Sequence, residues 1–122
     1  MIATSTSAPS KTINILTWVL QIAAALAFLA AGGSKLAGAQ PMVATFQKIG
    51  VGQWFRYLTG FLEVVGAIGL VIPRFAFYGA ALLVIVMIGA VITHLTILGG
   101  SPAAPIGLLV ITGTIAYVRR PR

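Results

Sequence analysis

The sequence predicts an all-α integral membrane protein, a four-helix transmembrane bundle with a short interfacial helix between helices 1 and 2. Hydrophobic residues make up 59% of the 122-residue chain, and only 7% of its residues are charged. Soluble domains typically carry roughly 25% charged residues. Four mostly apolar segments come close to the ~20 residues that a spanning helix needs. They cover about residues 13–33, 53–72, 75–98 and 104–118.

The N-terminal residues 1–10 are rich in Ser, Thr, Ala and Pro, which predicts a mobile cytoplasmic tail. Residues 11–122 are then a single transmembrane domain. Lys11 and the apolar run after it also fit a signal sequence, because small residues at Ala25 and Ala27 would permit cleavage. The apolar run is longer than such sequences usually have, so a retained first span is favoured.

A short interfacial helix is predicted over about residues 41–49, where apolar residues recur at helical spacing. Pro41 suits the first turn of this helix, and Gly50 suits the position after its last turn. The segment is too short to span a membrane, so we expect it to lie in the interface with Lys48 facing water. Trp54 then begins an aromatic belt where the second span enters.

Short connections separate the later spans. Pro73 closes the second span, and Arg74 lies at headgroup level in the resulting tight turn. Residues 99–102 break the third span from the fourth, and Ser101 can cap a helix that opens at Pro102. Neither connection is long enough to hold a soluble domain.

The basic residues indicate an orientation. Five of them fall on one side of the predicted membrane and three on the other, which by the positive-inside rule places both termini in the cytoplasm. The two groups are Lys11, Arg74, Arg119, Arg120 and Arg122 on the cytoplasmic side, and Lys35, Lys48 and Arg56 on the outer side.

Charge and composition exclude several functions. The net charge of +7 comes from eight basic residues and one acid, and the basic residues lie at the ends of apolar runs. This pattern indicates contact with an anionic lipid surface and no nucleic-acid binding. Because the chain has no cysteine, it cannot form disulfides or ligate an iron–sulfur cluster through thiolates, and with one histidine it cannot provide a bis-histidine haem site. No metal or nucleotide motif is present, so no catalytic residue and no covalent cofactor are assigned, and enzymatic activity is left open.

Glu63 is the only acid in the chain, and it lies inside the second span. Counting along the helix places it roughly 10–15 Å below the surface where the span enters. Thr59, Gly60 and Gly66 share its helix face, because residues three and four positions apart are neighbours. Small residues let helices approach closely, so this face is expected to point into the bundle, with Gly32, Gly60 and Gly66 as helix-packing positions.

Three polar residues are expected to meet toward the outer leaflet: Lys35, Glu63 and His94. An ionisable group within a membrane is a functional-site hypothesis by default. The sequence therefore predicts an outward-facing pocket for a quinone or a lipid, and further lining candidates are Gln53, Thr59 and Thr93. The competing interpretation is that Lys35 and Glu63 only pair across two helices and hold the bundle in register, while His94 hydrogen-bonds to backbone or water.

Three runs of the chain resemble the DoxX-like family of small bacterial four-helix membrane proteins: GGSKLAG, FQKIGVGQWFRYLTGFLEVVGAIGLVIPR and ALLVIVMIGAVITH. The resemblance extends from about Leu26 to about His94. Its most specific parts are Gly-x-x-Lys at Gly32 and Gly-x-x-Glu-x-x-Gly at Gly60. The resemblance implies a multi-pass bundle of the bacterial plasma membrane. It also implies a link, in some relatives, to redox systems such as a quinone-linked thiosulfate oxidation complex or soluble enzymes of thiol and superoxide defence.

The leading functional hypothesis is a non-catalytic membrane subunit that binds a quinone-like or lipid-like ligand and supports a soluble or membrane-bound oxidoreductase. A structural or assembly protein without a ligand is the first alternative. A small proton-coupled transporter is the second, and it is disfavoured because small multidrug-resistance transporters carry their acid in the first helix, whereas Glu63 lies in the second beside a lysine. A homo-oligomer is compatible with all three.

Overall fold

The computed structural model describes residues 9–122, and this part of the chain is all helical, with five α-helices and no strand. The predicted all-α class is confirmed. Most of the tail predicted over residues 1–10 lies outside the described residues. A 3₁₀ turn at Pro73–Phe75 precedes the fourth helix, and a π-helical turn at His94–Leu98 continues it. The helices are α1 (Lys11–Ala37), α2 (Gln40–Ile49), α3 (Gln53–Leu70), α4 (Ala76–Thr93) and α5 (Ala103–Arg119).

Helix α1 extends beyond the predicted span at both ends. It starts after Ser10, whose side chain accepts a hydrogen bond from the Ile13 backbone N–H at 3.2 Å. It continues through two adjacent glycines and ends at Gly38, whose φ of 74° is the left-handed conformation that closes many helices. Lys35 therefore lies in the last turn of α1, where a cation interacts favourably with the helix dipole.

The four longer helices pack in a ring in which each contacts two others. Helix α1 packs against α3 and α5, and α4 packs against the same two helices. Neighbours run antiparallel: Gln21 of α1 contacts Leu70 at the end of α3, and Asn14 near the start of α1 contacts Arg119 at the end of α5. The buried apolar residues between these helices are Ala24, Ala25, Phe28, Ala67, Leu70, Ala80, Leu83, Met87 and Ile115.

Glycines bring α1, α3 and α4 close together. A Cβ added to Gly32 would lie 2.8 Å from the Gly60 carbonyl oxygen, and one added to Gly60 would lie 2.9 Å from the Gly32 carbonyl oxygen. Further along α3, where it packs against α4, a Cβ added to Gly66 would lie 2.6 Å from Leu83 Cγ. These distances are shorter than real Cβ contacts, so larger residues here would push the helices apart.

Two helical stretches are long and apolar enough to cross a membrane, judged by length and composition: Lys11–Ala37 and Pro73–Leu98. Helix α5 is apolar but only 17 residues long, and α3 carries two charged residues. The outward faces of the helices are rich in large apolar side chains, an exposed surface of the kind that contacts lipid or another protein. Examples are Leu16, Val19, Leu26, Phe61, Ile85, Leu95 and Val110.

Candidate functional site

An ion pair joins the end of α1 to the middle of α3. Lys35 Nζ lies 2.9 Å from Glu63 Oε1, and the two side chains are 13% and 3% exposed. Within residues 9–122, no hydrogen-bond donor other than this ammonium is near Oε1. The glycine contact explains the alignment, since an added Cβ on Gly60 would lie 2.9 Å from Lys35 Cβ. Each charge depends on the other, because a buried charge without a partner is strongly destabilising.

A partly open cavity of about 860 Å³ lies beside this ion pair. All five helices contribute to its wall, which is mainly apolar and includes Met42, Phe46, Leu62, Met87 and Leu108. A cavity of this size, with an apolar wall and a few polar groups, is the usual form of a small-molecule site.

Five of the six polar residues singled out from the sequence line this cavity: Lys35, Thr59, Glu63, Thr93 and His94. The structure therefore brings them together around one space. Whether that space binds a ligand stays a prediction.

The hydroxyls and the imidazole in the wall already donate to backbone carbonyls. Thr59 Oγ1 donates to Phe55 O, and Thr93 Oγ1 donates to Gly89 O, both at 2.8 Å. His94 Nδ1 lies 3.1 Å from Ala90 O. A carbonyl oxygen only accepts, so Nδ1 carries the proton, and in the neutral ring Nε2 is left as an acceptor.

Gln53, the sixth candidate, does not line the cavity. Its Nε2 donates to Val43 O at 3.1 Å, and its Oε1 accepts from Arg56 Nε at 2.6 Å. Arg56, expected at the membrane surface from the sequence, is only 5% exposed. Its Nη1 donates to the Lys35 carbonyl oxygen, so the guanidinium binds the C-terminal end of α1, where a cation is favoured.

Helix α2 forms one wall of the cavity and is tied to the rest of the site in two places. Phe46 is buried and its ring packs edge-to-face on Phe55, with centroids 5.8 Å apart. Lys48 Nζ donates to the Leu98 carbonyl oxygen at 3.0 Å, which joins α2 to the π-helical turn. Lys48, expected to face water, is exposed and also lines the cavity.

A second polar network, which the sequence analysis missed, lies toward the chain termini. Gln21 is fully buried; its Nε2 donates to Leu70 O at 2.6 Å and its Oε1 accepts from Arg119 Nε at 2.7 Å. Arg119 Nη1 also donates to Asn14 Oδ1 at 2.8 Å. The available signal was a lone glutamine in the apolar run of α1, since a polar residue in such a run needs a partner on another helix.

The comparisons with known proteins agree with the resemblance in sequence. A model of the DoxX-like family matches residues 19–118. A search of curated proteins and a search of solved structures each found no match. The matched region contains all of α2, α3 and α4 and every residue of the cavity wall. With its apolar helices the chain is a membrane protein, and it belongs to the DoxX-like family.

Proposed function

We propose that this protein is a multi-pass subunit of the bacterial plasma membrane that binds a quinone-like or lipid-like molecule in the cavity and supports a membrane-associated oxidoreductase. The observation that carries the proposal is the position of the Lys35–Glu63 ion pair and His94 in the wall of one mainly apolar cavity. Such a wall suits the apolar body of an amphipathic molecule, while the polar groups orient its head.

In this proposal α1, α3, α4 and α5 all span the membrane and α2 lies in the interface. Helices of 18 and 17 residues, as in α3 and α5, are roughly 26–27 Å long. That length is close to the ~30 Å hydrocarbon thickness of a typical bilayer. The basic residues near both termini favour a cytoplasmic location for the chain ends.

The polar groups have distinct parts in this proposal. Lys35 donates hydrogen bonds to an oxygen of the ligand, and His94 Nε2 accepts one where the ligand carries a hydroxyl. Glu63 holds the ammonium of Lys35 in place and, with His94, is the candidate for moving a proton. The partner oxidoreductase supplies the electron transfer, and this chain supplies the apolar site.

The test compares the ligand content of variants inside the cavity with that of a matched variant outside it. Gly89 lines the cavity and Gly107 does not, and a Cβ added to either would meet nothing within 4 Å. We expect Gly89→Phe to reduce the co-purifying small molecule by at least about tenfold. Gly107→Phe should leave it unchanged, and Glu63→Gln should reduce it. The measurement is mass spectrometry of protein extracted in native lipid, together with identification of co-purifying proteins.

Equal small-molecule content in all four proteins would contradict the proposal and favour the structural interpretation of the ion pair. Drug-driven proton flux in liposomes that depends on Glu63 would instead support a transporter. Thermal unfolding of each variant shows whether a lost ligand reflects a filled cavity or a lost fold.

A further inference from the structure

We propose that the occupant of the cavity is a single-chain amphiphile with an anionic head, a long-chain carboxylate, and that Lys48 and Lys35 bind this head. The inference rests on the proposed function, namely that the cavity holds an amphipathic molecule. It adds the charge of the head and the number of chains, which the proposed function leaves open.

The charge of the cavity wall favours an anionic head. Lys35, Lys48 and Glu63 are its charged residues. Glu63 is the only acidic side chain of the whole sequence, and it is paired with Lys35 at 2.9 Å. No acidic side chain remains for Lys48, whose ammonium donates to the neutral Leu98 carbonyl. With a neutral His94 the wall therefore has a net charge of +1.

Arg56 adds a further positive charge just behind the wall. It is buried, and its guanidinium donates to two neutral acceptors, the Gln53 side chain and the Lys35 carbonyl. Charges away from bulk water act over longer distances, because the effective dielectric constant there is lower. The excess of positive charge in and near the wall favours an anion in the cavity.

The hydrogen-bond donors that the wall still offers also favour a carboxylate. Thr45, Thr59 and Thr93 each donate at 2.8 Å to a carbonyl of their own helix, so their hydroxyls offer only lone pairs to the cavity. His94 Nδ1 is likewise used by Ala90 O. Unused protons come from the ammonium groups of Lys35 and Lys48, since each carries three. A carboxylate accepts such protons in short, charge-assisted bonds, which are about twice as strong as neutral ones.

The size of the cavity and the position of Lys48 favour a ligand with one chain. A volume of about 860 Å³ lies within the range of pockets that enclose one ligand of moderate size, roughly 300–1,000 Å³. One acyl chain fits this range better than the two chains of a phospholipid. Lys48 is exposed, so the charged head would lie at the cavity rim while the chain contacts the apolar wall.

The experiment compares two probes with the same chain and different heads, palmitate and 1-hexadecanol. The full-length protein is placed in phosphatidylcholine nanodiscs at a pH that keeps the carboxylate ionised. We expect palmitate to bind at least about tenfold more tightly than the alcohol. This ratio should shrink in Lys48→Met and be kept in Lys48→Arg, which retains the charge. Lys11→Met is the matched control, because Lys11 is an exposed lysine outside the cavity, and it should keep the full ratio.

The other possible outcomes contradict the inference, and one of them also contradicts the proposed function. Equal affinity for the two probes, or a ratio that Lys48→Met leaves unchanged, overturns the inference and leaves the proposed function standing. Binding of phosphatidylglycerol without binding of palmitate overturns the single-chain assignment. If neither probe binds and Gly89→Phe matches the wild type in every ligand measurement, the inference and the proposed function both fail.

Discussion

Two groups of polar residues lie between the helices, and they differ in how far their hydrogen-bonding capacity is used. In the terminal cluster, formed by Asn14, Gln21 and Arg119, the Gln21 amide uses both its nitrogen and its oxygen. Arg119 donates to three acceptors within α1. In the cavity cluster, formed by Lys35, Lys48, Glu63 and His94, the buried Glu63 Oε1 has one ammonium as its partner, and all four residues line the cavity.

The two clusters show that polar residues between the helices of this mainly apolar protein have two different roles. The terminal cluster links three helices through side-chain hydrogen bonds, so its contribution is to hold α1, α3 and α5 in register. The cavity cluster also links helices, but its residues line a cavity and its two ammonium groups have protons left for further partners. A group that is incompletely paired and lies beside a cavity is the one available to bind a ligand.

The largest expected effect comes from breaking the ion pair on one side. Glu63→Leu leaves the ammonium of Lys35 without its acid, and the free energy of unfolding should fall by about 3–5 kcal/mol. The double variant Lys35→Met/Glu63→Leu should recover most of this loss, since no unpaired charge remains. Unfolding in mixed micelles, arranged as a double-mutant cycle, measures both. If the double variant loses as much free energy of unfolding as Lys35→Met and Glu63→Leu lose together, the two residues are not coupled.

An intermediate effect is expected at the terminal cluster. Gln21→Leu removes the donor to Leu70 O and one acceptor of Arg119, and it should lower the free energy of unfolding by about 1–3 kcal/mol. Ligand content should not change, because Gln21 is not part of the cavity wall. Gln47→Leu, at an exposed position, is the control for the same chemical change. The ligand content is also measured at temperatures at which the variant and the wild type are equally folded. If Gln21→Leu still loses ligand there, the two clusters do not have separate roles.

The smallest effect is expected at Thr112, which is fully buried yet bonds only within its own helix. Its hydroxyl donates to Leu108 O at 2.8 Å and links no second helix. Thr112→Val should therefore change the free energy of unfolding by no more than about 0.5 kcal/mol, since such bonds do little for helix stability. The same micelle unfolding assay measures it. A loss comparable to that of Gln21→Leu would mean that burial, and not linkage between helices, determines how much these polar groups contribute to the free energy of unfolding.

Much of the fold can be predicted from the sequence because its signals are local. The apolar runs indicate the helices, and Pro41 and Gly50 bracket the segment that forms α2. The approach of Lys35 to Glu63 follows from short-range patterns as well, since small residues line the face of α3 that carries the acid. The family is likewise confirmed by the match over residues 19–118. The binding function of these residues stays a prediction.

The features that the sequence analysis missed depend on contacts between distant residues. Gln21 and Arg119 are 98 positions apart, and no periodic pattern connects them. Its residue type alone predicts a surface position for Arg56. Its burial goes with the hydrogen bond to the carbonyl at the end of α1, which is distant in sequence. That helix in turn continues through Gly32 because packing against Gly60 outweighs the weak helix propensity of glycine.

The π-helical turn at His94–Leu98 determines how a change in chain length at this point would alter the contacts of α2. The Gly99 N–H donates to His94 O at 2.9 Å, five residues back, so the turn holds one residue more than an α-helical turn. Compared with a regular α-helix, the turn therefore contains one inserted residue at the end of α4. Deleting one residue would restore α-helical register and rotate the following residues by ~100° about the helix axis. In this chain such a deletion would direct a different carbonyl toward Lys48, so α2 would be held by another contact.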